Sequence, residues 1–175
     1  FSRVIGEAID ISILSEGAFD VTLAKAIDAW GFGPDGEITQ RPSDGDLAFL
    51  RETVGVDKLS YLGDSLMKKV DGVEVSLSAI AKGYAVDKVA LALDDFGIAN
   101  YLVNIGGELR ASGKSADNQS WRVGIEKPHI LGGIQEIAQL SNVAIATSGD
   151  YRNYLVIDGQ QFSHTIDSST LMPVY

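Results

Sequence analysis

A lysine stands in an unusual place in the stretch Ser76-Leu77-Ser78-Ala79-Ile80-Ala81-Lys82-Gly83-Tyr84-Ala85-Val86-Asp87. The stretch leaves an alternating run, Val73 to Leu77, whose period of two predicts a strand. It then enters a helical pattern, in which Ala85, Val86, Val89, Ala90, Leu93 and Phe96 recur until Gly97 stops it. Lys82 is therefore expected in the first turn of a helix. Unpaired N–H groups and the positive end of the dipole favour an anion there, not a cation. A lysine so placed makes chemical sense when a phosphate or carboxylate sits beside it. The plainer alternative is a solvated surface lysine.

Four other stretches carry residue types suited to chemistry, each with a structural reading beside it. Gly17-Ala18-Phe19-Asp20 puts an acid where a second helix begins, and Asp20 serves equally as an N-cap. Asn104-Ile105-Gly106-Gly107-Glu108 interrupts a strand, and paired glycines admit either a ligand or a β-bulge. Thr147-Ser148-Gly149-Asp150-Tyr151-Arg152 offers donors for phosphate, in residues that an ordinary turn also uses. His164-Thr165-Ile166-Asp167 ends a strand and holds one of the 2 histidines. His129, beside Pro128, reads as surface. Ser148, His164 and Asp167 contain the types of a hydrolase triad, but no Gly-x-Ser-x-Gly elbow accompanies them. Neither a Walker lysine motif nor a dinucleotide Gly-x-Gly-x-x-Gly is present.

The elements that must position these residues follow from periodicity. Val4, Ile5, Ala8, Ile9, Ser12 and Ile13 predict a helix ended by Gly17, and Thr22 to Trp30 a second. Ser43 with Asp46 predicts a cap for a third helix through Leu47, Leu50 and Val54 to Gly55. Strand patterns begin at Lys58, with a turn signal at Asp71-Gly72 between Val70 and Val73. Later strands are expected at 101–105, 108–111, 121–125, 135–140 and 143–146. A hairpin about Asp158-Gly159 should join 154–157 to 161–166. Helices first and strands later indicate an α+β fold with a mostly antiparallel sheet and packed helices, in one domain over 1–175.

With 45% apolar and 22% charged residues, the composition is that of a globular protein. A net charge of −10 argues against nucleic acid as a partner. The absence of cysteine excludes disulfides and thiolate metal sites. No apolar run reaches the length of a membrane span. The chain opens on Phe1 without a methionine and closes on apolar residues, as expected of an excerpt from a longer protein.

These stretches, in this order, resemble the ApbE family of flavin transferases, the FAD:protein FMN transferases. Ser15 to Thr22 with Trp30-Gly31-Phe32-Gly33-Pro34 is similar to the first family signature, and Ala79 to Asp87 to the second. Asn104 to Glu108, Thr147 to Arg152, and His164 to Asp167 with Pro173 are similar to the other three. The resemblance implies a T-fold-like flavin transferase domain, truncated at both ends. It implies an enzyme that uses Mg²⁺ to pass the FMN half of FAD to a threonine or serine of an acceptor protein, releasing AMP. On the same basis the Ala79 carbonyl is a metal ligand, and Lys82 approaches the nucleotide. Ala18, Phe19 and Asp20 line the FAD pocket, and Thr147, Ser148 and Gly149 line the flavin side. Ser76, Asn104, Gly106, Gly107 and Thr165 count among the nucleotide-binding residues. His164 is the candidate base for the acceptor hydroxyl and also touches the nucleotide.

Two departures accompany the resemblance. Ser76 stands where the family usually has Asp, and the family's two further metal ligands lie beyond the proline matched by Pro173. An FAD pyrophosphatase yielding FMN and AMP, or a non-catalytic FAD-binding protein, is the alternative expectation. The family also implies a cell-envelope, periplasmic location at the inner membrane, reached through an anchor that these residues do not contain.

Overall fold

The computed structural model describes residues 1–36, 38–62, 65–129, 132–149, 151 and 153–174. In chain order the helices are α1 (Ser2–Leu14), α2 (Ala24–Ala29), α3 (Asp44–Arg51) and α4 (Ser78–Asp95). The strands are β1 (Leu59–Leu62), β2 (Ser65–Lys68), β3 (Tyr101–Ile105), β4 (Glu108–Ser112) and β5 (Trp121–Glu126). They continue as β6 (Ile134–Leu140), β7 (Val143–Ile145), β8 (Tyr154–Ile157) and β9 (Gln160–Ser163). Every described strand pair is antiparallel, in the orders β1-β2, β3-β4-β7, β5-β6 and β8-β9. The α+β class follows. Contacts divide the chain into two compact units, residues 1–79 with 153–175, and residues 80–152.

In the first unit α1 buries Val4, Ile5, Ala8 and Ser12. Ile13, expected on the same stripe, is 65% exposed. It falls in the last turn, where Glu16 and Gly17 (φ 53° and 84°) already turn the chain away. The second helix is shorter than its pattern: Val21, Thr22 and Leu23 are buried but precede α2. Asp20 does not cap it. The N-cap is Leu23, and the Asp20 carboxylate instead accepts from the Thr22 amide (2.7 Å) and hydroxyl (2.5 Å). This local turn competes with the helix for the same donors.

The Ser43 cap forms as expected. Its Oγ accepts from the Asp46 amide, and Asp46 accepts from the Ser43 amide, each at 3.1 Å. Helix α3 stops at Arg51, and Val54 reaches the core beyond it, before Gly55 at φ 130°. β1 pairs with β2 with Leu62 opposite Ser65, so this hairpin does not close at Asp71-Gly72. Gly72 (φ 86°) does turn the chain, but no strand follows. The strand expected over Val73 to Leu77 is an extended segment without a ladder. Val73 is fully buried, Val75, Ser76 and Leu77 are all half-buried, and the Ser76 amide is bonded across to the Val21 carbonyl (2.8 Å). The unit's core joins Leu23, Trp30, Leu47 and Val54 to Ile157, Phe162, Ile166 and Leu171.

In the second unit α4 packs Val86 and Ala90 against Tyr101 and Val103 of β3. Gly97 (φ 74°) follows the helix end, as the pattern required. β3 and β4 form a hairpin whose two turn residues are Gly106 and Gly107 (φ 60° and 102°). Two positive φ values in succession are the geometry that tight hairpins need, and glycine adopts it without strain. The glycines thus make a turn rather than a bulge.

Candidate functional site

The first unit gathers the 17–20 loop, Ser76 and the segment after β9. His164 follows β9 directly, and its Nδ1 lies 3.0 Å from the Asn153 carbonyl. A carbonyl only accepts, so in the neutral ring this contact places the proton on Nδ1 and the lone pair on Nε2. The ring edge meets Phe32 of the Trp30-Gly31-Phe32 stretch, with centroids 6.3 Å apart at 70°. His164 is half-buried, and Nε2 has no hydrogen-bond partner among the described residues. These are the requirements for a general base: an oriented ring, one tautomer and an open nitrogen.

Asp167 has another task. Its Oδ1 accepts from the Ser169 hydroxyl (2.6 Å), the Ser169 and Thr170 amides (2.8 Å each) and the Thr170 hydroxyl (3.2 Å). The Ser169 hydroxyl above all, then the Thr170 amide, holds this carboxyl below its ordinary range. Asp167 therefore orders the turn after His164, and no bond from it to the imidazole is present. Ser168 Oγ then donates to the Gly17 carbonyl at 2.5 Å, tying this turn to the 17–20 loop. Arg51 donates to the Ser169 and Thr170 carbonyls. Thr165 is exposed; its amide donates to Ser163 Oγ, and its carbonyl accepts from Val174. Ala18 is exposed, Phe19 is half-buried, and the Phe19 amide is bonded to Ser15 Oγ (3.0 Å). Ser76 Oγ sits 3.0 Å from Ser78 Oγ at the start of α4.

The second unit gathers Lys82, Asn104, Gly106 and Gly107. Lys82 is the fifth residue of α4, one turn further in than expected, because the helix starts at Ser78. Its Nζ lies 2.9 Å from Glu108 Oε1 and 3.4 Å from the Gly106 carbonyl. Asn104 Oδ1 accepts from the Gly107 amide at 3.1 Å and closes the turn. Antiparallel pairing of Leu109 with Ile145 sends β7 towards this turn, so residues 147–149 leave the sheet at the same end. Thr147, Ser148 and Gly149 are exposed there. Asp150 and Arg152 lie outside the described residues. One cation, an exposed Gly-Gly turn and two hydroxyls at one sheet end suit an anionic ligand.

Glu108 was not given a role from sequence. The signal was present in the alternation of β4, whose residues Glu108 and Arg110 share one face. That face meets α4, where Glu108 pairs with Lys82 and Arg110 with Asp87 (2.8 Å). Ser168 and Asn153 act through backbone and hydroxyl contacts for which the sequence carries no signal.

A model of the ApbE family matches residues 1–175 in full. The chain belongs to the ApbE family. It is similar to a FAD:protein FMN transferase of Vibrio cholerae, 45% identical over 172 residues that cover 98% of this chain and 52% of that protein. A FAD:protein FMN transferase of Haemophilus influenzae is 39% identical over 99% of this chain and 52% of its own length. Among solved structures, the flavin transferase ApbE from Vibrio cholerae superposes with a TM-score of 0.87 at 43% identity, covering 99% of this chain and 55% of that one. The ApbE protein from Thermotoga maritima gives 0.88 at 30% identity, over 99% and 56%. This chain thus spans about half the length of the relatives it matches.

The mixed helix and antiparallel-strand architecture is therefore the ApbE architecture. For Mg²⁺, the donors among the described residues do not make up a complete site. Ala79 is the second residue of α4 and offers a neutral carbonyl. Among the described residues no three carboxylates or histidines gather. Mg²⁺ calls for six oxygens near ideal geometry, usually with one or two carboxylates.

Proposed function

We propose that these residues belong to a FAD:protein FMN transferase, which moves the FMN half of FAD to a threonine or serine hydroxyl of an acceptor protein. The observation that carries the reading is His164, whose Nδ1 is engaged by the Asn153 carbonyl while Nε2 has no partner among the described residues. Nε2 accepts the proton of the acceptor hydroxyl as its oxygen attacks the FMN phosphorus. The phosphorus–oxygen bond to the AMP half breaks, and the proton returns to solvent or to the departing AMP. Lys82, beside the turn at Gly106-Gly107, faces the phosphates, where its cation stabilises developing charge. Ala18, Phe19, Asp20, Ser76 and Thr165 of the first unit are proposed as FAD-binding residues; in the second unit Asn104 is proposed for the nucleotide, and Thr147, Ser148 and Gly149 for the flavin. The names of relatives 45% and 39% identical over nearly the whole of this chain support the choice of donor and product.

Mg²⁺ dependence is part of the proposal, with the Ala79 carbonyl as one ligand, but the steps drawn from these residues do not pass through the metal. A cell-envelope location is proposed as well. No described helix is long and apolar enough to cross a membrane. Isothermal titration tests the donor: FAD should bind saturably and NAD should not. Equal weak binding of both would contradict the reading.

A further inference from the structure

Lys82 does not project freely from its helix. Its Nζ has three N–H donors, and two of them are engaged, by Glu108 Oε1 at 2.9 Å and the Gly106 carbonyl at 3.4 Å. The lysine side chain is nevertheless 50% exposed, while Glu108 is only 17% exposed. The carboxylate is thus the fixed partner and the ammonium the one that reaches water. Burying a carboxylate costs free energy unless it is paired, and Glu108 is incompletely paired: Oε2 is buried without a hydrogen-bond partner among the described residues. A glutamate retained in this way serves its neighbour more than the stability of the fold. The turn adds a second constraint. A Cβ at Gly106 would stand 3.1 Å from Lys82 Cδ, so the lysine stem lies directly on the turn.

Resting on the proposed transferase reading, we infer that Glu108 is the positioning residue for Lys82. It holds the ammonium over the Gly106-Gly107 turn with one N–H pointing outward, in place to meet a phosphate of FAD. Without Glu108 the four-carbon stem of Lys82 samples many rotamers, and part of the binding energy goes into ordering it. Glu108 itself does not touch the nucleotide.

The test is a double-mutant cycle read by FAD titration with quenching of flavin fluorescence. Lys82→Ala, Glu108→Ala and the pair are compared with the parent chain. Positioning through Lys82 predicts that Glu108→Ala weakens FAD binding in the parent but not in the Lys82→Ala background. The ratio of the two effects should be at least about fivefold. Glu108→Gln keeps a carbonyl acceptor and the shape of the side chain, so it should give a smaller ratio of the same sign. It also keeps the test open if the alanine variant does not fold. A ratio within about twofold of unity, with Lys82→Ala itself weakened, overturns the role of Glu108 while leaving the lysine on the nucleotide. An unchanged Lys82→Ala instead removes the lysine from the nucleotide, and this inference falls with it.

Discussion

Replacing Trp30 with Phe should cost the first unit about 2–4 kcal/mol. The indole N–H donates to the Leu171 carbonyl at 2.8 Å, and both residues are fully buried. Phe keeps the ring but leaves that carbonyl unpaired in the core, at a cost of about 1–3 kcal/mol. The lost part of the indole leaves a void on the order of 35 Å³, worth about 0.8 kcal/mol at roughly 24 cal/mol per Å³. Leu171 has little slack to respond, since it already sits in the left-handed region at φ 58°. Its amide and the Met172 carbonyl are both bonded to Asp167, each at 2.8 Å. The consequence reaches the site, because Trp30 also stacks on Phe162 (centroids 5.3 Å apart), two residues before His164. Urea unfolding followed by far-ultraviolet circular dichroism measures the effect. A slope of about 1–3 kcal/mol per molar urea predicts a midpoint lowered by on the order of 1–2 M. A loss below about 0.5 kcal/mol would show that the carbonyl finds another partner, and that the bond does not anchor the segment after β9.

Other expectations follow from single contacts. Lys82→Ala should weaken FAD binding by about 1.5–3 kcal/mol, the range for charged hydrogen bonds; an unchanged titration would return the lysine to the surface. His164→Ala should slow transfer about 10²–10⁴-fold with FAD affinity nearly unchanged, as expected of a base; a full rate with a peptide acceptor would refute its role. Asp167 is held below its ordinary pKa, so its stabilising contribution is complete above the ordinary carboxylate range and is lost as pH falls through the lowered folded value. Asp167→Asn should therefore flatten the decline of Tm below about pH 4, and a decline parallel to the parent's would contradict the assignment.

Elements whose signals were local could be read from the sequence. The Ser43 capping box, the Asp158-Gly159 hairpin and the Gly97 stop each depend on a few adjacent residues, and each formed. Readings failed where one pattern serves two structures. Val73 to Leu77 alternates in sequence, yet a strand also needs a partner, and none is paired there among the described residues. Asp20 had the type and position of an N-cap, but Thr22 offered two closer donors. At the candidate site the contacts that orient the marked residues left no local trace in the sequence. The Nδ1 proton of His164 is set by a backbone carbonyl, and the reach of Lys82 by a glutamate 26 positions away on another element. Neither partner can be found by spacing along the chain.

The most direct test of the account is product analysis after incubation with FAD, Mg²⁺ and a protein acceptor carrying a threonine site. Flavin linked covalently to the acceptor threonine, with AMP released in equal amount, is the result the account predicts. Free FMN with AMP, or FAD recovered intact, would contradict it.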